Sequence, residues 1–198
     1  MHGLICKAFE SFIRATWSDA DWAGITRDAG MARAAFESMQ TYPDDTLARL
    51  LPVASRHLGR RPQALLEDAG HWIVTAPRLE AVRRLIRFSG ATYEELIWSL
   101  GELRARARLA VPDLDLPDCS IADRGGGCFE VSIRWPRPGA APVLAGMLRA
   151  MADDFGALAL IDHGAEHPSQ EGWGGTVTVK VIDMAHAAGR DFALGTAS

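Results

Sequence analysis

The hydrophobic pattern of this chain changes period at Pro117, and that change limits the folds open to it. Before Pro117 apolar residues recur every three to four positions; after it they alternate. Leu4, Ile5, Ala8, Phe9, Phe12 and Ile13 form one face of an amphipathic helix over residues 3–16. Ser18 or Asp19 caps a second, short helix that stops near Gly30. A third runs from a cap at Asp44 or Asp45 to Gly59, with Pro52 predicting a kink or a break. Pro62 opens a fourth, striped by Leu65, Leu66, Ala69 and Trp72 or Ile73, and a fifth follows Pro77 and ends at Gly90. Thr92, with Glu95 three positions on, is a capping box that starts the helix carrying Leu96, Leu100, Leu103 and Arg104.

Beyond Pro117, "CFEVSIRW" alternates as a strand behind the turn Gly125–Gly126–Gly127. "APVLAGMLRAMADDFG" returns to helix, and "ALALIDH" and "TVTVKVI" are two strands joined by a long polar loop. Helices first, then a strand, a helix and a hairpin predict the α+β class with an antiparallel sheet. The 198 residues suit one domain of about residues 1–185. Within it, about 1–60 form a helical N-terminal subdomain, 61–185 carry helices and sheet, and 186–198 are a tail expected to fray.

Composition removes several function classes. A net charge of −4 and the lack of any run of five basic residues speak against nucleic acid. No apolar stretch approaches the ~20 residues of a membrane span. Lys7 and Glu10 interrupt the apolar start, so it does not read as a signal peptide. Cys6, Cys119 and Cys128 form no CxxC pair, which fits a reducing cytoplasm and no structural zinc. We therefore expect a cytoplasmic protein with no membrane and no nucleic-acid partner.

No catalytic word appears: there is no nucleophile elbow, phosphate loop or zinc-protease helix. Asp44 with Asp45, and Asp153 with Asp154, are neighbours that point apart on a helix, so they read as capping or surface groups. His163 and His167 have the spacing of a helical metal pair but fall at a strand end, where a solvated loop is the reading. His57 near a helix end suits the helix dipole. An enzyme is not expected.

Several ordered words resemble the H-NOX family, the haem-NO-binding (HNOB) domain of nitric oxide and oxygen sensors. They are the opening "MHGLI", "LLEDAG", "LIWSLGELRARARLAVPDLDLP" and "WPRPGAAPVLAGMLRAM". The resemblance spans residues 1–185. It implies that Ile5 packs on the distal haem face with Phe9 near it, that Leu100 lines the proximal helix, and that Pro117 presses on the haem plane. It also aligns Arg104 with the iron-ligating histidine. A guanidinium keeps its proton and has no lone pair for iron. The family's propionate signature, tyrosine-x-serine-x-arginine, falls on Ile133, Trp135 and Arg137, and only the arginine is kept.

Two readings of Arg104 stand open. It anchors an acidic ligand inside the former haem cavity together with Arg137, or it snorkels to solvent. Inside a cavity it would demand a counter-charge. Trp135 fills space that haem would need, or lines a pocket for a flat apolar ligand. The expectation is an H-NOX-like sensory domain with a degenerate haem site and no haem cofactor. It would bind an acidic or apolar small molecule, or no ligand, and signal in trans through a kinase- or cyclase-type partner. The alternative is a true haem sensor of NO or O2 with another axial ligand, His71 first, then Cys6 or Cys128.

Overall fold

The first two helices, α1 (Gly3–Thr16) and α2 (Asp19–Asp28), each start on a side-chain cap. His2 Nδ1 accepts from the Leu4 amide, and Ser18 Oγ accepts from the Asp21 amide at 3.0 Å. Gly30 leaves α2 with φ 64°, the stop that the sequence places there. We describe a computed structural model, which covers residues 1–32 and 34–189.

α3 (Thr46–Leu58) runs through Pro52 without a break and ends on left-handed Gly59. Asp45 occupies its cap position but makes no capping bond there. α4 (Pro62–Thr75) begins on Pro62 as expected. A 3₁₀ turn over Pro77–Leu79 leads into α5 (Glu80–Arg87). α6 (Tyr93–Ser99) starts on the predicted capping box: Thr92 Oγ1 accepts from the Glu95 amide, and Glu95 returns a carboxylate to the Ala91 amide at 2.7 Å. The expected single helix onward to Arg104 is interrupted by a 3₁₀ turn over Leu100–Glu102. Only then does α7 (Leu103–Ala110) begin.

The sheet contains more than the sequence pattern indicates. β1 (Asp118–Gly125) was not expected; it pairs antiparallel with β2 (Cys128–Trp135) across the glycine turn. After α8 (Ala140–Phe155) come β3 (Leu158–His163), the short β4 (His167–Ser169) inside the predicted loop, and β5 (Gly172–Asp183). The order is β1-β2-β5-β3, all antiparallel, with β4 alongside the start of β5. Register places Phe129 beside Val179 and Val131 beside Val177 on the inner face. There Leu144, Ala145, Leu148 and Met151 of α8 cover them. Each fully buried aliphatic side chain adds roughly 1.5–3 kcal/mol.

The core has two clusters. One lies among α1 to α4 around Phe9, Phe12, Ile13, Trp22 and Ile25; the other lies between α8, α6 and the sheet. α4 belongs to both, with Leu65 and Ala69 in the first and Val74 in the second. α4 crosses α8 in direct backbone contact, because Gly70 faces the Val143 carbonyl and Gly146 faces the Glu67 carbonyl. The tail expectation for residues 186–198 falls mostly outside the described residues; 186–189 carry no helix or strand.

Candidate ligand-binding site

The residues from Val111 to Pro117 turn the chain from α7 back to β1, and one side chain in that turn gathers the arginines. Asp115 Oδ1 accepts from Arg104 Nη2 at 2.8 Å and from Arg108 Nη2 at 3.4 Å. Arg104 and Arg108 are one helical turn apart, so α7 presents both to the same carboxylate. The Asp115 carbonyl accepts from Trp135 Nε1 at 3.0 Å. The guanidinium of Arg137 lies over the Trp135 ring, 4.8 Å from its centre, and Arg137 Nη1 stands 3.8 Å from Asp115 Oδ2.

Arg137 also reaches the segment before α3. Its Nε and Nη2 lie 3.1 and 3.0 Å from Asp44 Oδ1, which in turn accepts from the Met1 amino group at 2.8 Å. That amino group, and then Arg137, hold the Asp44 carboxyl below its ordinary range. So Asp44 is not a cap; it links the segment before α3 to the end of β2. Arg104 is 34% exposed, Asp115 26% and Arg137 13%. Both expectations for Arg104 therefore need amending. It is half-buried rather than snorkelled, and its counter-charge is supplied by the chain itself.

The other candidates are dispersed. Ile5 is half-buried between the two core clusters. Phe9 lies in the N-terminal core, edge-on to Trp22 and away from the arginines' ion pairs. Leu100 and Ile133 are buried in the sheet-side core, Trp135 at its margin, and Pro117 is half-buried just before β1. His71 sits on an exposed face of α4, with Nδ1 3.5 Å from Thr75 Oγ1. Cys6 is fully buried against Met1 Sδ, and burial pushes its pKa up to about 11. At neutral pH it is a thiol, not a thiolate.

Two further readings change. Asp154 is buried and ion-paired with Arg83 (Nη2 to Oδ1, 2.7 Å), not a surface group, whereas Asp153 is exposed. His163 bonds Glu67 Oε1 at 3.1 Å from the end of β3, while His167 is exposed on β4. Among the described residues no His, Cys, Asp and Glu group could hold a metal. Between those histidines, Glu166 accepts from the Ala141 amide at 2.9 Å and from the Gly139 amide at 2.5 Å, a cap for α8 supplied from a distant loop. Asp115 is the site residue that sequence reasoning missed. Its signal was an acid between Pro112 and Pro117, in a segment too short to be a helix.

Two pockets lie elsewhere: one of about 230 Å³ lined by Thr75, Ala76, Pro77, Glu80 and Arg83, and one of about 440 Å³ lined by Arg87, Phe88, Gly90 and Ala91. No helix among the described residues is long and apolar enough to cross a membrane.

With this order of helices and strands in hand, the family model "Haem-NO-binding" (HNOB) matches residues 2–163. The chain belongs to the haem-NO-binding, or H-NOX, family. Three solved structures give the comparison its scale. A Cs H-NOX mutant carrying 4-cyano-L-phenylalanine aligns with TM-score 0.77 at 11% identity, over 95% of this chain and 100% of that one. A mutant H-NOX of T. tengcongensis gives 0.76 at 11%, over 93% and 99%. An unliganded Fe(II) H-NOX mutant from K. algicida gives 0.76 at 14%, over 92% and 97%. No curated protein matches. At such identities the likeness establishes the H-NOX fold alone. H-NOX domains are a sensor family for gases such as NO and O2, and are sensors rather than enzymes.

The donor chemistry of this H-NOX domain can be set against the haem of its family. At the position that the sequence resemblance sets against the iron ligand, Arg104 offers only N–H donors, and its Nη2 is bonded to Asp115. At the propionate signature, Ile133 has no polar atom and Trp135 directs its only donor to the Asp115 carbonyl. Arg137 is already engaged by Asp44. These residues do not fit a haem bound in the family's manner.

Proposed function

We propose that this H-NOX domain is a regulatory sensor whose haem site has become an internally paired arginine cluster. It would signal through a partner protein of kinase or cyclase type, and its ligand would be a non-haem small molecule. The observation carrying this reading is the Arg104–Asp115 pair, which puts a protonated donor and its counter-ion where the family needs a lone pair. The cytoplasm is the setting that three cysteines without a CxxC pair support.

The cluster supports a route for a signal. Asp115 holds the α7–β1 turn, Arg137 leaves the end of β2, and Asp44 precedes α3. A ligand that binds one arrangement of these pairs better than another shifts both subdomains.

The test is a hemin titration of the purified protein, followed by absorption in the oxidised and reduced states. The expected result is no saturable Soret shift at one equivalent. A sharp shift at one equivalent, lost in His71→Ala or Cys128→Ala, would overturn the reading and make this a haem sensor with a relocated ligand.

A further inference from the structure

The arginine cluster is out of charge balance. Arg104, Arg108 and Arg137 all lie within 4 Å of Asp115, the one carboxylate they share. Asp44, the second carboxylate that Arg137 meets, is also taken by the Met1 ammonium. Three guanidiniums and an ammonium therefore face two carboxylates, an excess of two positive charges.

The donors are unbalanced as well. Arg104 Nε and Arg137 Nη1 are both shielded from solvent and have no hydrogen-bond acceptor. A buried N–H without an acceptor is costly, so both donors stand ready for an acceptor that the cluster itself does not supply. Two further features make the place accessible. Arg104 and Arg108 are 34% and 48% exposed, so an incoming anion meets them first, with Arg137 behind. Asp115 sits in a turn without regular structure, not on a helix or strand, so its side chain can leave without unfolding an element.

We propose that Arg104, Arg108 and Arg137 bind a small phosphate-bearing dianion, and that Asp115 is a built-in competitor for that site. The proposal rests on the reading above that haem does not occupy this place. A dianion in the place of Asp115 cuts the excess from two positive charges to one, and its tetrahedral oxygens give the stranded Arg104 Nε and Arg137 Nη1 their acceptors. Asp115 supplies one flat carboxylate from a tether, so it satisfies only part of the cluster. When phosphate displaces it, the α7–β1 turn loses its anchor and the Trp135 indole loses the neighbouring carbonyl that it bonds. Ligand arrival would thereby be converted into movement of residues 111–117.

The experiment is calorimetric titration of the full chain with inorganic phosphate against chloride at fixed ionic strength. It compares the native protein, Asp115→Asn and Asp115→Asn/Arg104→Gln, with folding checked by circular dichroism. The expected result is saturable binding at one equivalent, about tenfold tighter in Asp115→Asn because the competing charge is gone, and lost in the double variant. The proposal is overturned if neither the native protein nor Asp115→Asn binds, if Asp115→Asn binds no tighter than native, or if the double variant keeps its affinity. Should Asp115→Asn fail to fold, Arg104→Gln alone must weaken native phosphate binding several-fold, and unchanged affinity overturns the site. A Soret band in the hemin titration strikes the sensor reading itself. Silence in both titrations strikes only the phosphate site.

Discussion

Arg104 and Asp115 are eleven residues apart in sequence and 2.8 Å apart in space, and their pairing closes the α7–β1 turn back onto α7. The pair is partly exposed, so solvent screening limits its worth. A double-mutant cycle with Arg104→Gln and Asp115→Asn should return a coupling of about 0.5–1 kcal/mol in urea unfolding. Asp115→Asn alone should cost about 1 kcal/mol, since three guanidiniums then face one another unrelieved. The coupling should shrink in 1 M salt. A coupling near zero at low salt would mean that the turn is held by the Trp135 indole instead.

Much of the fold was legible because its signals are local. The Thr92–Glu95 box, Pro62 and the glycines after α2 and α3 act within a few residues, and each lies where the pattern puts it. β1 was missed because it is an edge strand with one covered face. Asp118 and Ser120 alternate with Cys119 and Ile121, but Ala122 and Asp123 break the pattern after four residues, and only pairing with β2 makes it a strand. Of the kink or break expected at Pro52, the break does not occur: the helix continues past the missing amide bond, with Leu50 and Ala54 buried on both sides. The site was half legible. Arg104 stood out against the family's pattern and Arg137 as the signature residue that keeps it, but Asp115 takes its meaning from contacts 11 and 20 residues away.

The crossing of α4 and α8 tolerates no side chain at its closest point. A methyl at Gly70 would run into the Val143 carbonyl, and one at Gly146 into the Glu67 carbonyl. Alanine normally gains up to about 1 kcal/mol over glycine inside a helix. Here a backbone atom is the obstacle and cannot rotate away, so the overpacking cost of roughly 1–3 kcal/mol wins. Gly70→Ala and Gly146→Ala should each lower the urea midpoint, whereas an unchanged or raised midpoint would show that the helices can slide apart freely.

Thiol labelling separates the three cysteines. Cys6 and Cys119 are buried and uncharged, each with its pKa pushed up to about 11 by burial, while Cys128 is half-buried. Thiolate is the reactive form, so an aromatic disulfide reagent at pH 8 should modify Cys128 first, one equivalent per native chain. All three should react after unfolding. Two fast equivalents in the native state would mean that the N-terminal core around Cys6, or β1 at Cys119, opens readily.

Acid stability should depend on Glu67, which ties α4 to α8 and β3. Its carboxylate accepts from Arg149 and from His163 Nε2 at 3.1 Å. Burial alone would raise the Glu67 pKa, but hydrogen bonds from His163 and Arg149, and the Arg149 charge, together bring it below the ordinary glutamate value. A lowered folded-state pKa means that the unfolded chain takes up the proton more readily. Glu67 therefore contributes its full stability above about pH 4.3, the ordinary value, and loses it as pH falls through the lower folded value. Asp21 and Asp44, lowered in the same direction, add to that acid limb from the surface. In Glu67→Gln the urea midpoint should be lower at pH 7 and should fall less steeply between pH 5 and 3 than in the native protein. If the two proteins lose stability in parallel over that range, Glu67 is ionised no more easily in the folded chain than in the unfolded one, and the link from α4 to β3 rests on packing alone.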